Sequence, residues 1–236
     1  MRLVKILTVL CMMVGCLFGC GPKSKVEGTV IDGKAKPLAG IRVVAKNVKT
    51  GNEQHEVTTA ADGKFTFAKI DAETEYEFIP YLDSKSKGRS LTSKTAPKGQ
   101  AMVLPQVLPI LFAPTKDGLL VGNTISGLLW IKDAAKGGEM DWQAAMELPK
   151  KFSLAGFSDW RLPTKDELRA LAAYGGVKPA ETLNNEMFAN VKPDSYWTSN
   201  DEGNNSYAWA VNMADGKYSD DLKTTKHQVW LVRSGN

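Results

Sequence analysis

The chain has 236 residues, with 30 Lys and Arg against 26 Asp and Glu, two His, three Cys and a formal charge of +4. So small a basic excess excludes nucleic-acid binding driven by charge. It leaves at most a local basic patch, suited to an anionic polymer or a membrane surface. The length suits one or two domains with modest cores.

Arg2 and Lys5 precede an apolar run from Ile6 through Phe18, the charged and apolar parts of an export signal. The run falls short of the roughly 20 apolar residues of a spanning helix, and Gly19, Cys20, Gly21 and Pro22 break it before Lys23, Ser24 and Lys25. Residues 1–19 are therefore expected to form a signal peptide. Leu17-Phe18-Gly19-Cys20 resembles the lipobox of bacterial lipoproteins, with Phe18 bulkier than is usual there. The resemblance implies cleavage before Cys20, acylation of that cysteine with chains such as palmitate, and a membrane-anchored protein of the cell envelope. The alternative is an ordinary signal peptide with an incidental cysteine. Gly21 is not the Asp that resembles an inner-membrane retention signal, so the outer membrane is the expected address, on its surface or its periplasmic face.

Cys11 and Cys16 leave with the signal peptide, so the mature chain keeps only Cys20 and forms no internal disulfide. An exported domain without bridges must be held by its core. Loss of Arg2 and Lys5 leaves 28 cations against 26 acids, a formal charge of +2.

Residues 20–25 read as a short lipidated tether. Apolar and polar residues then alternate, as in half-buried strands, over Val26 to Ile31, Ile41 to Lys46, Glu56 to Thr59, Lys64 to Phe67 and Tyr76 to Pro80. Asp32-Gly33, Lys49 to Asn52 and Asp62-Gly63 separate them, the last a hairpin signal. This pattern predicts a small antiparallel β-sandwich, immunoglobulin-like or prealbumin-like. Asp62 reads as a turn residue rather than a calcium ligand. Asp83 to Lys98 is polar and reads as a long mobile loop or a last hairpin. Met102 to Leu111 is a candidate closing strand that Pro105, Pro109 and Pro114 confine to an edge or a stiff linker, which places a domain boundary near Pro114. Gly28-Thr29-Val30, Pro37-Leu38-Ala39-Gly40-Ile41-Arg42-Val43 and Thr59 to Phe67 resemble a carboxypeptidase regulatory-like domain over 26–114. That resemblance implies an all-β, prealbumin-like sandwich acting as a spacer or adhesion module, without catalysis.

Residues 115–236 mix strands and helices. Leu119 to Val121 and Leu128 to Ile131 read as strands. A helix is predicted after the N-cap Asp141 and ends near Leu148 because of Pro149. A second helix follows the capping box of Thr164 and Glu167 and stops at Gly175-Gly176. Tyr196 to Ser199, Tyr207 to Met213 and Gln228 to Arg233 are expected as three strands, giving an α+β domain with two helices and a mixed antiparallel sheet. Gly127-Leu128-Leu129-Trp130, Trp142-Gln143-Ala144-Ala145, Gly156 to Leu168, Tyr196-Trp197-Thr198-Ser199, Ala208 to Asn212 and Val229 to Arg233 resemble the DUF1566, or Lcl C-terminal-like, family. This implies a C-type-lectin-like fold on a cell surface. The cysteines that many members carry are missing, Leu231 standing where one would be, and so are the calcium and sugar motifs of calcium-dependent lectins.

His55 and His227 lie in different domains, and no HExxH, GxSxG or phosphate-cradling glycine loop occurs. A cysteine nucleophile and a His-rich zinc site are thereby disfavoured. The expectation is a non-enzymatic envelope lipoprotein without cofactor, metal or nucleic-acid partner that binds a glycan or a protein. The alternatives are a structural or assembly lipoprotein and, more remotely, an envelope-polymer hydrolase. All six Trp fall in the second domain; most read as core with the indole N–H satisfied, while an exposed one could stack on a sugar ring or anchor a protein partner, and Arg161 and Arg233 read as structural donors. Asp215, Asp220 and Asp221 read as a solvated rim. Ligand-contact candidates are the loop residues Asn200, Asp201, Glu202, Asn204 and Asn205, and a basic rim of Lys217, Lys223, Lys226 and His227.

Overall fold

The computed structural model describes residues 21–83, 86–201, 203 and 206–235. The expected signal peptide, Cys20 and the candidate residues Glu202, Asn204 and Asn205 lie outside these. Among the described residues no helix is long and apolar enough to cross a membrane.

The alternation in the first half becomes eight strands: β1 (Lys23–Asp32), β2 (Arg42–Asn47), β3 (Glu53–Thr58), β4 (Lys64–Asp71), β5 (Glu75–Tyr81), β6 (Leu91–Lys94), β7 (Ala101–Val103) and β8 (Leu108–Ile110). They form two sheets. One has the order β4-β1-β7, with β8 also on β1, and the other has the order β3-β2-β5-β6. The inward residues meet between the sheets, where Val26, Val30, Val43, Phe65, Phe67, Tyr76, Phe78 and Leu108 are buried. Each fully buried Val, Leu or Phe contributes roughly 1.5–3 kcal/mol, so this core holds the domain without a bridge.

Three features differ from the sequence reading. The sandwich is not wholly antiparallel, because β7 and β8 run parallel to β1, Val26 facing Met102 and Val30 facing Leu108. Pro105 lies in the break between them, and the parallel register delivers Leu104, Leu108 and Ile110 to the core. Asp62-Gly63 does make a tight turn, but β3 and β4 belong to different sheets, so it is not a hairpin. Gly63 has φ of 73°, and a Cβ there would stand 2.7 Å from the Val30 carbonyl oxygen. Of the two readings of the polar segment after Asp83, the last hairpin is the one observed, its second strand being β6 antiparallel to β5. The expected tether is already strand at Lys23.

The second half supplies β9 (Phe112–Pro114), β10 (Leu120–Asn123), β11 (Leu128–Ile131), β12 (Glu139–Met140), α1 (Trp142–Glu147), α2 (Lys165–Gly175), α3 (Pro179–Glu186), β13 (Ser195–Asp201), β14 (Tyr207–Asn212), β15 (Tyr218–Leu222), β16 (His227–Gln228) and β17 (Val232–Ser234). Here too there are two sheets rather than the expected one, β17-β11-β10-β9 and β12-β16-β13-β14-β15. Only Leu111 separates β8 of the first domain from β9 of the second, so the chain changes sheet ahead of Pro114. Thr124 fastens this joint, its hydroxyl donating to the Ile110 carbonyl and accepting from the Gly33 N–H, both at 2.9 Å.

Among the described residues there are three α-helices, where two were expected. Asp141 caps α1 by accepting from the Ala144 N–H at 2.8 Å, and a 3-10 turn over Leu148–Lys151 takes up Pro149. The capping box of α2 is present, and Arg161 forks onto both Glu167 oxygens at 2.7 Å. The unexpected α3 starts with Pro179 in its first turn, buries Ala180 and Leu183, and is tied to the end of β14 by the Ala180 N–H donating to the Met213 carbonyl at 2.8 Å.

Five of the six Trp are buried: Trp130, Trp142, Trp160, Trp197 and Trp230. Four of these donate their indole N–H to a backbone carbonyl, Trp142 to Thr198 at 2.8 Å, Trp160 to Phe157 at 3.1 Å, Trp197 to Met140 at 3.0 Å and Trp230 to Ile131 at 2.7 Å. Trp230 sits at the centre, with its ring against Trp130, Phe188 and Tyr196.

Two outcomes follow from this packing. A Cβ on Gly137 would lie 2.2 Å from the Val229 carbonyl oxygen, so Gly137→Ala is expected to lower stability by about 1–3 kcal/mol in urea unfolding. Burial raises the Glu167 pKa, but the Arg161 fork and the Thr164 N–H outweigh it and hold the carboxyl below its ordinary value. The stability it contributes is present above the unfolded value and is lost as pH falls through the folded one. Glu167→Gln is therefore expected to cost on the order of 1 kcal/mol at neutral pH, with Arg161 partly exposed. Urea midpoints of the variant and the parent should converge in acid.

Candidate functional site

The loop and rim residues singled out in the sequence that the structure describes do not all share one surface. Val211 pairs with Tyr218 at one end of the β14–β15 hairpin and Tyr207 with Leu222 at the other, which places Lys217 and Lys223 at opposite ends. At the Lys223 end, the ammonium bonds to Asp201 at 3.1 Å and stands 4.4 Å above the Trp142 ring. The hydrogen bond from Lys223 keeps the Asp201 carboxyl below its ordinary pKa. His227 Nε2 lies 2.9 Å from Asp221, and its ring meets Trp197 edge-on at 4.4 Å. Lys226 is exposed in the turn beside them. Asn200 accepts from the Lys165 N–H at 2.7 Å, so it serves the first turn of α2. At the other end Lys217 bonds to Asp215 at 2.9 Å. Among the described residues no cluster of His, Cys, Asp or Glu is arranged to hold a metal ion.

Arg161 and Arg233 have the structural partners expected of them. Arg161 holds Glu167 and the Leu162 carbonyl, and Arg233 forks onto Asp159 at 2.7 and 3.0 Å while lying over the Phe157 ring. The ion pair with Arg233 keeps the Asp159 pKa low.

The core thus takes most of the tryptophans, and Trp209 is the one that is not fully buried. In β14, Ala208 and Ala210 point inward and are buried, while Trp209 between them is half-buried on the face toward α2. Its ring meets Tyr218 edge-on at 5.6 Å, and Lys165 Nζ stands 3.7 Å above it. Arg169, one turn beyond Lys165, lies 4.3 Å over Tyr218, which is 46% exposed. Two cations of α2 thus cover two aromatic rings of the neighbouring hairpin, each contact worth about 0.5–1 kcal/mol at an exposed site. Sequence reasoning missed this face; the spacing of Lys165 and Arg169 by four on a capped helix and the small-large-small run of β14 are the signals that could have found it.

Clefts lie on both flanks of α2. One of about 610 Å³ runs between α2 and the β14–β15 turn, lined by Asp166, Arg169, Ala173, Gly216, Lys217 and Tyr218 among others. The other, of about 510 Å³, opens at the domain joint between Arg89, Phe112, Ile125, Leu128 and Tyr174. Arg89 donates to the Tyr174 carbonyl at 3.1 Å, linking the first domain to α2. Tyr174 donates to Glu186, and burial raises the pKa of both groups.

With this geometry in place, comparison with known proteins locates the domains. A structure of catechol 1,2-dioxygenase from Pseudomonas arvilla C-1 matches with 15% identity and a TM-score of 0.26, covering 36% of this chain and 39% of that one. The chain therefore spans well under two thirds of the dioxygenase. The C-terminal fragment of pilus adhesin SpaC from Lactobacillus rhamnosus GG matches with 15% identity and a TM-score of 0.25, over 40% of this chain and 48% of that one. Adhesin InvE from Yersinia pseudotuberculosis matches with 11% identity and a TM-score of 0.30, over 89% of this chain and 70% of that one. No curated protein matches. Family models match in two places, the Carboxypeptidase regulatory-like domain over residues 25–102 and the Lcl C-terminal domain over residues 120–233. The chain thus carries a carboxypeptidase regulatory-like domain followed by an Lcl C-terminal domain.

Proposed function

We propose that this protein is a non-enzymatic lipoprotein of the bacterial cell envelope, anchored by acyl chains on Cys20, whose C-type-lectin-like second domain binds a glycan or protein partner. The observation that carries the reading is the aromatic and cationic face of Trp209, Tyr218, Lys165 and Arg169. Five tryptophans are buried, and the sixth is half-buried beside an exposed tyrosine and a cleft. Aromatic side chains with polar neighbours in partial exposure are the usual anchors of recognition. His55 packs against Phe67 and Tyr76 in the first domain, His227 lies against Asp221 in the second, and no cysteine follows Cys20, so neither histidine has a thiol beside it.

The sandwich supports the anchoring half of the proposal. Pro22 already accepts from the Ala72 N–H at 2.7 Å, and β1 begins at Lys23, so the first domain would sit directly on the bilayer. More than one acyl chain gives stable attachment where a single chain is marginal. Gly21 in place of Asp favours the outer membrane.

Metabolic labelling with palmitate should mark the protein and should leave Cys20→Ala unlabelled. A label that survives Cys20→Ala would remove the anchor. Glycan arrays and surface-protein pull-downs with the chain from Gly21 onward should give a saturable partner, and a wholly negative result would remove the recognition role.

A further inference from the structure

We propose that the cleft at the domain joint binds an amphipathic monocarboxylate of the fatty-acid type, its alkyl chain along the end of the sheet of β9, β10 and β11 and its carboxylate against Arg89. The site lies on the opposite flank of α2 from Trp209 and Tyr218 and is independent of the recognition role proposed above. Register explains why a cleft is there. Val121 faces Trp130 across β10 and β11, and Asn123 faces Phe112 across β10 and β9. By alternation these four share one face of the sheet with Leu128. Val121 and Trp130 are buried in the core, whereas Asn123 and Leu128, one row further, are only half-buried. The apolar face therefore runs on past the core, where Leu111 is also half-buried and Ile125 is 54% exposed. Arg89 of the first domain closes the rim, and the enclosed volume is about 510 Å³, within the roughly 300–1,000 Å³ typical of small-ligand sites. Tyr174 supports the rim rather than offering a free ring, since Arg89 stands 5.3 Å over it and Phe112 meets it edge-on at 4.8 Å.

The charges select the head group. Arg89 is exposed, and among the described residues its hydrogen bond and ring contact both go to Tyr174. Most of its N–H donors are left for the paired oxygens of a carboxylate. The two acids that line the cleft already have partners. Glu167 accepts from Arg161 and from the Thr164 N–H, and Asp166 lies 3.6 Å from Arg169. Glu186 feels Arg89 and Lys87 through space, but its carboxylate accepts from the Tyr174 hydroxyl. Asn123 uses its side-chain oxygen to accept from the Ile125 and Ser126 N–H groups at 2.8 and 3.0 Å, which leaves its NH2 group as a second donor in the cleft. Spare donors at the end of an apolar recess complement an anionic head on an alkyl body. A sugar would set its hydroxyls against Leu111, Ile125 and Leu128 without partners, and a polyanion would find one guanidinium where it needs a row of cations.

The chain from Gly21 onward, which contains both hydrophobic cores, is titrated calorimetrically with hexanoate, octanoate and decanoate below their micellar concentrations. Decan-1-ol and decylammonium serve as chains that lack the anion. Decanoate is expected to bind saturably, and affinity should rise by up to about fourfold per added methylene, the equivalent of about 0.8 kcal/mol. Decylammonium should bind at least about tenfold more weakly. Arg89→Met should weaken decanoate at least about tenfold and leave decan-1-ol unchanged. Ala170→Trp fills the mouth from the exposed side of α2 with Arg89 still in place, and it should weaken acid and alcohol alike. Urea midpoints confirm that each variant folds. No saturable binding of decanoate, decylammonium or decan-1-ol binding as tightly as decanoate, or an affinity for decanoate that stays the same in Arg89→Met and Ala170→Trp would overturn the proposal. The glycan arrays and pull-downs decide the recognition role separately.

Discussion

The second domain has no disulfide available to it, because the three cysteines all lie at or before position 20. Its sheets must therefore be cross-linked by side chains that fill space and end in a directional bond. Tryptophan does both. Its large apolar surface is buried, and its N–H must find an acceptor once inside. Trp197 reaches the end of β12, Trp142 at the start of α1 reaches β13, and Trp230 reaches the end of β11, so one residue type ties strands and helix into a single core. Each bond contributes about 0.5–1.5 kcal/mol net. The larger effect is geometric, since an indole turned away would leave a buried N–H unmatched.

Against that background α2 has two roles. Its N-terminus is fixed from three sides by Thr164, by the Arg161 fork on Glu167 and by Asn200 accepting from the Lys165 N–H. Its outer surface separates the two clefts, and Asp166, Ala170 and Ala173 line both of them. Arg89 reaches the same helix from the first domain. The joint between the domains and the aromatic face thus share one rigid element, and a ligand seated on the face would be positioned relative to the sandwich. Sites on rigid elements hold their geometry better than sites on loops.

Much of this was legible in the sequence where a local rule applied. Period-two alternation located β1, β2, β4 and β5, and the Thr164 and Glu167 capping box located α2. Strand direction is not encoded in alternation, so the parallel pairing of β7 and β8 with β1 could not be read. The helix α3 escaped because Lys178 supplies no side-chain cap and only Pro179, Ala180 and Leu183 are buried. The edge strand β15, Tyr-Ser-Asp-Asp-Leu, has no inward apolar set and is held by its pairing with β14. Which tryptophan would lie outside the core was not legible, because at Trp209 the buried residues are the small alanines on either side. The partners of the described loop candidates were not legible for a similar reason: Asp201 is paired with Lys223 and His227 with Asp221, and only the folded hairpins bring those partners together.

The division between buried indoles and a surface one is tested most directly by urea unfolding of the single Trp→Phe variants. Trp142→Phe, Trp197→Phe and Trp230→Phe each lose a bond that joins separate elements and should each cost about 1–3 kcal/mol. Trp209→Phe keeps an aromatic ring under Lys165 and should stay within about 0.5 kcal/mol of the parent. A loss at Trp209 as large as that at Trp230, or none at Trp142, Trp197 and Trp230, would contradict the account.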